Sequence, residues 1–116
     1  MMSSYVAVDL GATSGRVVIG RLEHGRLDVA EVNRFRNEPS GSGRERHWDT
    51  EELFAQTVIG LHRASAQLDG AAGSVGVTAW GVDVGLLDND DKLVAPIQHY
   101  RAANPEATTL APSSRS

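Results

Sequence analysis

The apolar and polar positions of this 116-residue chain fall into short runs with different periods. Tyr5 to Asp9 is a compact apolar run that predicts a buried strand, closed by the turn-prone stretch Gly11-Ala12-Thr13-Ser14-Gly15. A second strand is predicted from Arg16 to about Glu23, apolar at Val17, Val18, Ile19 and Leu22. His24-Gly25 then supplies a two-residue turn, glycine being able to take the positive φ such turns need. A third strand follows from Arg26 to Phe35, with Leu27, Val29 and Val32 among its apolar residues. Three sequential strands joined by tight turns predict an antiparallel meander.

The period changes after Phe35. Arg36 to Arg46 contains Pro39 and the run Ser40-Gly41-Ser42-Gly43, a loop signature. Asp49 is placed to cap a helix, with Glu52 completing a capping-box arrangement and Glu51 favourable in the first turn. Phe54, Val58, Leu61, Ser65 and Leu68 recur at helical spacing, predicting an amphipathic helix from Thr50 to about Leu68. Gly70 to Gly73 ends it. Val75 to Trp80 reads as a strand, and Val82 to Leu87 as another after Gly81. Asp88-Asn89-Asp90-Asp91 forms a polar turn, and Lys92 to Ile97 is expected to return as a short strand interrupted by Pro96. Periodicity stops after Arg101, so residues 1–101 are expected to form a domain and 102–116 an irregular, disordered tail. No internal repeat is visible.

Composition narrows the function classes. Hydrophobic residues make up 41% and charged residues 22% of the chain, ordinary for a soluble globular protein. The net charge of −4 argues against non-specific nucleic-acid or anionic-membrane binding, both of which want a basic surface. With no cysteine, disulfides, thiolate nucleophiles and Cys-based zinc sites are excluded, and the expected location is the cytoplasm. Met-Met-Ser-Ser-Tyr lacks a basic leader region and the following apolar run is broken at Asp9 and Gly11, so neither a signal peptide nor a membrane span is expected. The four histidines (24, 47, 62 and 99) show no metal-ligand spacing.

The segment richest in chemistry is Asp9-Leu10-Gly11-Ala12-Thr13-Ser14-Gly15-Arg16, between two strands. Gly11 and Gly15 let backbone approach a ligand, and consecutive N–H groups in such a turn make an anion-binding nest. Thr13 and Ser14 add hydroxyl donors, and Asp9 at the strand end is placed to orient a hydrated Mg²⁺. The spacing is neither that of a Walker A loop nor of a dinucleotide fingerprint. A plain Gly-rich hairpin turn is the alternative for the string taken alone.

A second motif is Val75-Gly76-Val77-Thr78-Ala79-Trp80-Gly81-Val82-Asp83-Val84-Gly85-Leu86-Leu87-Asp88. Together with His47-Trp48-Asp49-Thr50 and Tyr100-Arg101, the order and spacing resemble the rhamnulokinase branch of the FGGY carbohydrate kinases from about Tyr5 to Arg101. The resemblance implies an α/β fold, a partial actin-like ATPase (ribonuclease H-like) domain. It begins with a three-strand antiparallel meander, followed by a helix and further strands. It also implies ATP and Mg²⁺ as cofactor, held at Asp9, Gly11, Ala12, Thr13, Ser14, Gly15 and Arg16, with Asp9 reaching the metal through water. The sugar would lie at Gly81, with Trp80, Asp83 and Tyr100 nearby. Each has a structural alternative: Trp80 as core packing, Gly81 as relief at a bend, Asp83 as a solvent-facing strand residue, Tyr100 as a loop anchor.

Two positions depart from the family pattern, Thr78 and Ala102 each standing where an aspartate is usual. Rhamnulose, fuculose and xylulose therefore all stay open as the ketose. Family members take their catalytic base and adenosine pocket from much later sequence, so no catalytic residue is expected here. A frameshift or premature stop in a longer reading frame is the expectation, with marginal stability or association in isolation. The two readings are a kinase segment acting on the 1-hydroxyl of L-rhamnulose, and a non-catalytic remnant or weak phosphate- or sugar-binding module. The expected partners are the sugar and ATP, with no nucleic acid and no membrane; oligomeric state is left open.

Overall fold

The computed structural model describes residues 2–100, and the predicted tail at 102–116 lies outside the described residues. The chain divides into two compact units. Among the described residues, one holds those from Met2 to Glu38 with Thr50–Trp80; the other holds Pro39–Asp49 with residues 81–100.

The first unit is a four-stranded sheet covered by one helix. Strands β1 (Ser3–Leu10), β2 (Ser14–Glu23) and β3 (Arg26–Arg36) form the antiparallel meander, and β4 (Ser74–Ala79) follows the helix α1 (Thr50–Gln67). The spatial order is β3-β2-β1-β4, with β4 parallel to β1. Tight turns dictate the first half. His24 (φ 55°) and Gly25 (φ 74°) are both left-handed, the backbone that matches the twist of a two-residue hairpin. The α1 crossover then returns the chain to pair beside β1, as a parallel neighbour requires.

Alternation decides the faces. Val6 and Val8 of β1 and Val17 and Ile19 of β2 point to one side, where Ala64 and Leu68 close the core, with Leu10, Val32 and Leu61 at its margin. The helix is turned slightly from the predicted stripe, of which Leu61 and Leu68 do meet the core. Phe54 is 70% exposed and Ser65 is exposed, whereas Leu53, Thr57, Gly60, Ala64 and Leu68 make the inward line. Gly60 explains the rotation: a Cβ there would lie 2.8 Å from Val17 Cβ and 3.3 Å from Asn33 Cβ. The side without side chain is the side that lets the helix approach. Asn33, buried on β3, ties the layers by donating to the Gln56 carbonyl (3.2 Å) and accepting from Arg63 (2.7 Å). The helix ends as predicted, Asp69 (φ 51°) and Gly70 (φ 76°) turning left-handed and Gly70 N–H reaching the Ser65 carbonyl at 2.9 Å.

The second unit is largely irregular. Among the described residues its elements are a short 3₁₀ turn at Gly43–Glu45 and isolated bridges pairing Ser40 with His47, His47 with Gln98, and Leu87 with Leu93. The two strands predicted over 82–87 and 92–97 are thus corrected: one isolated bridge, Leu87 with Leu93, is what they form. Val82 has a φ of 72°, a left-handed backbone that is rare for a β-branched residue and lies outside the strand region. The polar turn between them is present. Asp88 Oδ1 accepts the N–H groups of Asp90 (2.8 Å) and Lys92 (3.0 Å), an Asx-type closure.

Candidate functional site

The turn between β1 and β2 is built from three residues, Gly11 to Thr13, and is closed from within. Gly11 N–H donates to the Ser14 carbonyl at 2.9 Å. A Cβ on Gly11 would sit 2.8 Å from that same oxygen, so glycine is what permits the closure. Gly15 has a packing reason to be glycine: a Cβ there would fall 2.7 and 2.8 Å from Cε2 and Cε1 of the buried Phe35 ring. Both glycines therefore serve the turn's own packing, with the ring of β3 lying against the start of β2.

A residue outside the predicted motif completes the turn. Asn37, only 5% exposed, donates its backbone N–H to the Thr13 carbonyl (3.0 Å) and its side-chain Nδ2–H to the Gly11 carbonyl (2.9 Å). Sequence reasoning placed it in a loop; the one available signal is a polar residue two places beyond the inward-facing Phe35. With these carbonyls occupied, the N–H groups of Ala12 and Thr13 have no intramolecular acceptor among the described residues.

Asp9 and Arg16 are cross-strand partners on the sheet face opposite α1. Arg16 Nε donates to Asp9 Oδ2 at 3.1 Å, and its guanidinium stands 4.0 Å from Glu31. Glu31 in turn accepts two bonds from Arg34, at 3.0 and 2.8 Å. That doubled hydrogen bond from Arg34, assisted by the charges of Arg34 and Arg16, holds the Glu31 carboxyl below its ordinary range. Arg34 is correspondingly raised by its bond to Glu31. The row Asp9-Arg16-Glu31-Arg34 thus alternates in sign beside the turn. Asp9 is about two-fifths exposed. As a single carboxylate at the strand end it suits a cation that keeps most of its water shell, as Mg²⁺ does. Among the described residues no group of three His, Cys, Asp or Glu side chains gathers as a metal cage.

The remaining candidates divide between the units. Trp80, half-buried, ends the β4 segment of the first unit. Gly81, Asp83 and Tyr100 belong to the second. There Trp48, 2% exposed, donates its indole N–H to Asp83 Oδ2 at 2.8 Å. Its ring lies 4.4 Å from that of His99, which stacks on Tyr100 at 4.5 Å. Backbone bonds hold this cluster: Trp48 N–H to the Ile97 carbonyl (2.8 Å) and His99 N–H to the Arg46 carbonyl (2.9 Å). Asp83 and Tyr100 are thereby brought together around Trp48, and buried His99 joins them without having been anticipated. Gly81 is exposed, and a Cβ would meet nothing within 4 Å, so packing does not explain glycine there.

No family model matches the chain. Individual proteins do. It is 38% identical over 101 residues to a rhamnulokinase of Bacteroides thetaiotaomicron, covering 87% of this chain and 21% of that protein. It is 37% identical over 99 residues to a rhamnulokinase of Bacillus subtilis, covering 84% of this chain and 20% of the relative. The chain thus spans about a fifth of the length of the curated relatives it matches. Among solved structures it superposes on a gluconate kinase from Lactobacillus acidophilus with a TM-score of 0.70 at 15% identity, over 84% of this chain and 20% of that one. A xylulose kinase from Brucella ovis gives 0.60 at 14% identity, over 82% and 20%. The fold is that of the actin-like ATPases, α/β with a mixed sheet, and the sequence corresponds to the N-terminal fifth of FGGY-type rhamnulokinases.

Proposed function

We propose that this chain supplies the nucleotide-phosphate turn and part of the sugar-binding face of an ATP-dependent carbohydrate kinase. The observation that carries the reading is the β1–β2 turn. Its Gly11 and Thr13 carbonyls are held by Asn37 while the N–H groups of Ala12 and Thr13 are left to an outside acceptor. Thr13 and Ser14 add hydroxyls, Gly11 permits the turn's internal closure, Gly15 leaves room for the Phe35 ring, and Arg16 supplies a cation beside the turn. Phosphoryl transfer needs little covalent chemistry from the protein, so fixed donors aimed at phosphate oxygens are a real part of catalysis. Mg²⁺, when bound with ATP, offsets phosphate charge. Asp9 would hold it through water, sharing its carboxylate with Arg16.

On the sugar side, Gly81, Trp80, Asp83 and Tyr100 are the proposed contacts. Asp83 suits hydroxyl recognition, because a carboxylate oriented by an indole N–H accepts sugar O–H groups directionally. L-Rhamnulose, phosphorylated at its 1-hydroxyl, is the proposed substrate of the complete enzyme, following the names of the relatives. None of the described residues is assigned as the base that would take that hydroxyl's proton, and the 116-residue chain is expected to give no ADP release with ATP and L-rhamnulose.

The test is a titration of the isotopically labelled chain with ATP·Mg²⁺, followed through backbone amide shifts. Saturable movement of Ala12 and Thr13 at millimolar nucleotide is expected. Movement confined to residues away from 9–16, or none, overturns the assignment.

A further inference from the structure

We infer that Asn37 is a positioning residue of the phosphate turn, fixing the direction of the amides that meet the anion. The inference rests on the proposed phosphate-binding reading of Ala12 and Thr13. In a trans peptide the carbonyl of one residue and the N–H of the next point in opposite directions. Asn37 Nδ2–H holds the Gly11 carbonyl at 2.9 Å, so the Ala12 N–H is turned away from β3. The Asn37 backbone N–H holds the Thr13 carbonyl at 3.0 Å, anchoring the far side of the same turn. One residue therefore grips the turn at both ends, from a site that is 5% exposed.

The grip is needed because the turn has little else to hold it. Gly11 to Thr13 stand outside the strands, and the Gly11 to Ser14 bond at 2.9 Å is the other closure across them. A glycine-led turn of this kind is free to flip its peptide planes. A flipped Gly11–Ala12 plane would aim a carbonyl, not an N–H, at a phosphate oxygen. Asn37 reaches the turn because the ladder of β2 with β3 shifts register between Val17 and Val18, which sets Ser14 opposite Arg36 and brings Asn37, the residue after β3, to Thr13.

Asn37→Asp tests this on the 116-residue chain, with inorganic triphosphate and Mg²⁺ as the probe and the Ala12 and Thr13 amides as the readout. The substitution keeps shape and backbone N–H but removes the Nδ2–H donor. Binding at neutral pH is expected to weaken about tenfold. As pH falls below about 4, the new carboxyl takes a proton and regains a donor, so the ratio to the unsubstituted chain narrows toward one. A merely structural role would not follow that titration.

If Asn37→Asp does not fold, the unsubstituted chain still decides. Solvent exchange of the Asn37 amide should slow about tenfold when triphosphate is present at ten times its dissociation constant, since opening the brace would release the ligand. Equal binding by variant and parent, a ratio that does not move with pH, or an unchanged exchange rate at saturation overturns the inference alone. Absence of any triphosphate response at Ala12 and Thr13 in the parent overturns the phosphate reading, and the inference with it.

Discussion

Gly15 separates two explanations of the phosphate turn, and substituting it by alanine tells them apart. If glycine were present so that a ligand could approach, Gly15→Ala would fold well and bind poorly. The structure predicts the reverse order of effects. Alanine should gain about 0.5–1 kcal/mol over glycine within a strand by restricting the unfolded chain. Against that gain, its Cβ would sit 2.7 and 2.8 Å from two edge carbons of the Phe35 ring, which is buried and cannot swing into solvent. Overpacking of this kind costs about 1–3 kcal/mol. The net expectation is a loss of about 1 kcal/mol, a fall of about 4 °C in Tm for a chain this size.

A double-mutant cycle sharpens the claim. Phe35→Leu alone should cost about 1–2 kcal/mol by shrinking a core side chain. It also vacates the space that the added methyl group needs, so Gly15→Ala in that background should cost nothing, or recover the intrinsic gain. Urea unfolding at constant m-value measures all four corners. A favourable coupling of about 1 kcal/mol or more is expected. Additive losses, or a Gly15→Ala chain more stable than its parent, would refute the packing argument and return Gly15 to the ligand.

The same logic applies to Gly60→Ala. Its helix-propensity gain of about 1 kcal/mol should be outweighed by the clash with Val17 and Asn33, so the midpoint of urea unfolding falls. At the hairpin, His24→Asn places a residue more tolerant of positive φ at 55°, and a stabilisation of about 0.5 kcal/mol is expected in thermal unfolding. Carboxyl NMR should find Glu31 titrating below the ordinary glutamate range, and Arg34→Gln should move it back up. Because the folded-state value is depressed, any stability from this pair is present above the unfolded carboxylate range and is lost as pH falls through the folded value. The pair is solvent-exposed, so the shift itself is the measurement that decides.

What could be read from sequence was mainly what is local. The meander was legible because turn chemistry and alternation act over a few residues, as at His24-Gly25. The helix was legible as a helix and Leu61 and Leu68 face the core as expected, yet Phe54 and Ser65 do not. Weighting Phe54 and Val58 as anchors assumes that large apolar side chains point inward. Here the layers are close, and Gly60 and Ala64 set the contact by their smallness. The strands predicted over 82–97 failed for a complementary reason. An apolar run becomes a strand only if a partner presents its backbone, and here the partners are the segment's own Leu87–Leu93 bridge and the Trp48 N–H at the Ile97 carbonyl, not a neighbouring strand.

The site shows the same boundary between local and non-local information. Asp9 to Arg16 could be singled out as a candidate turn because its residues are contiguous. Asn37 could not, since its reach to Gly11 depends on a register shift at Val17/Val18 that no spacing in the sequence encodes. Asp83 was legible as a candidate, but not the indole that orients it 35 residues earlier. In both places the proposed contact residue lies in the motif, and the residue that holds it lies elsewhere. Motif matching therefore finds donors and acceptors while missing the groups that fix their direction. That difference matters most in phosphoryl transfer, where direction is most of what the protein contributes.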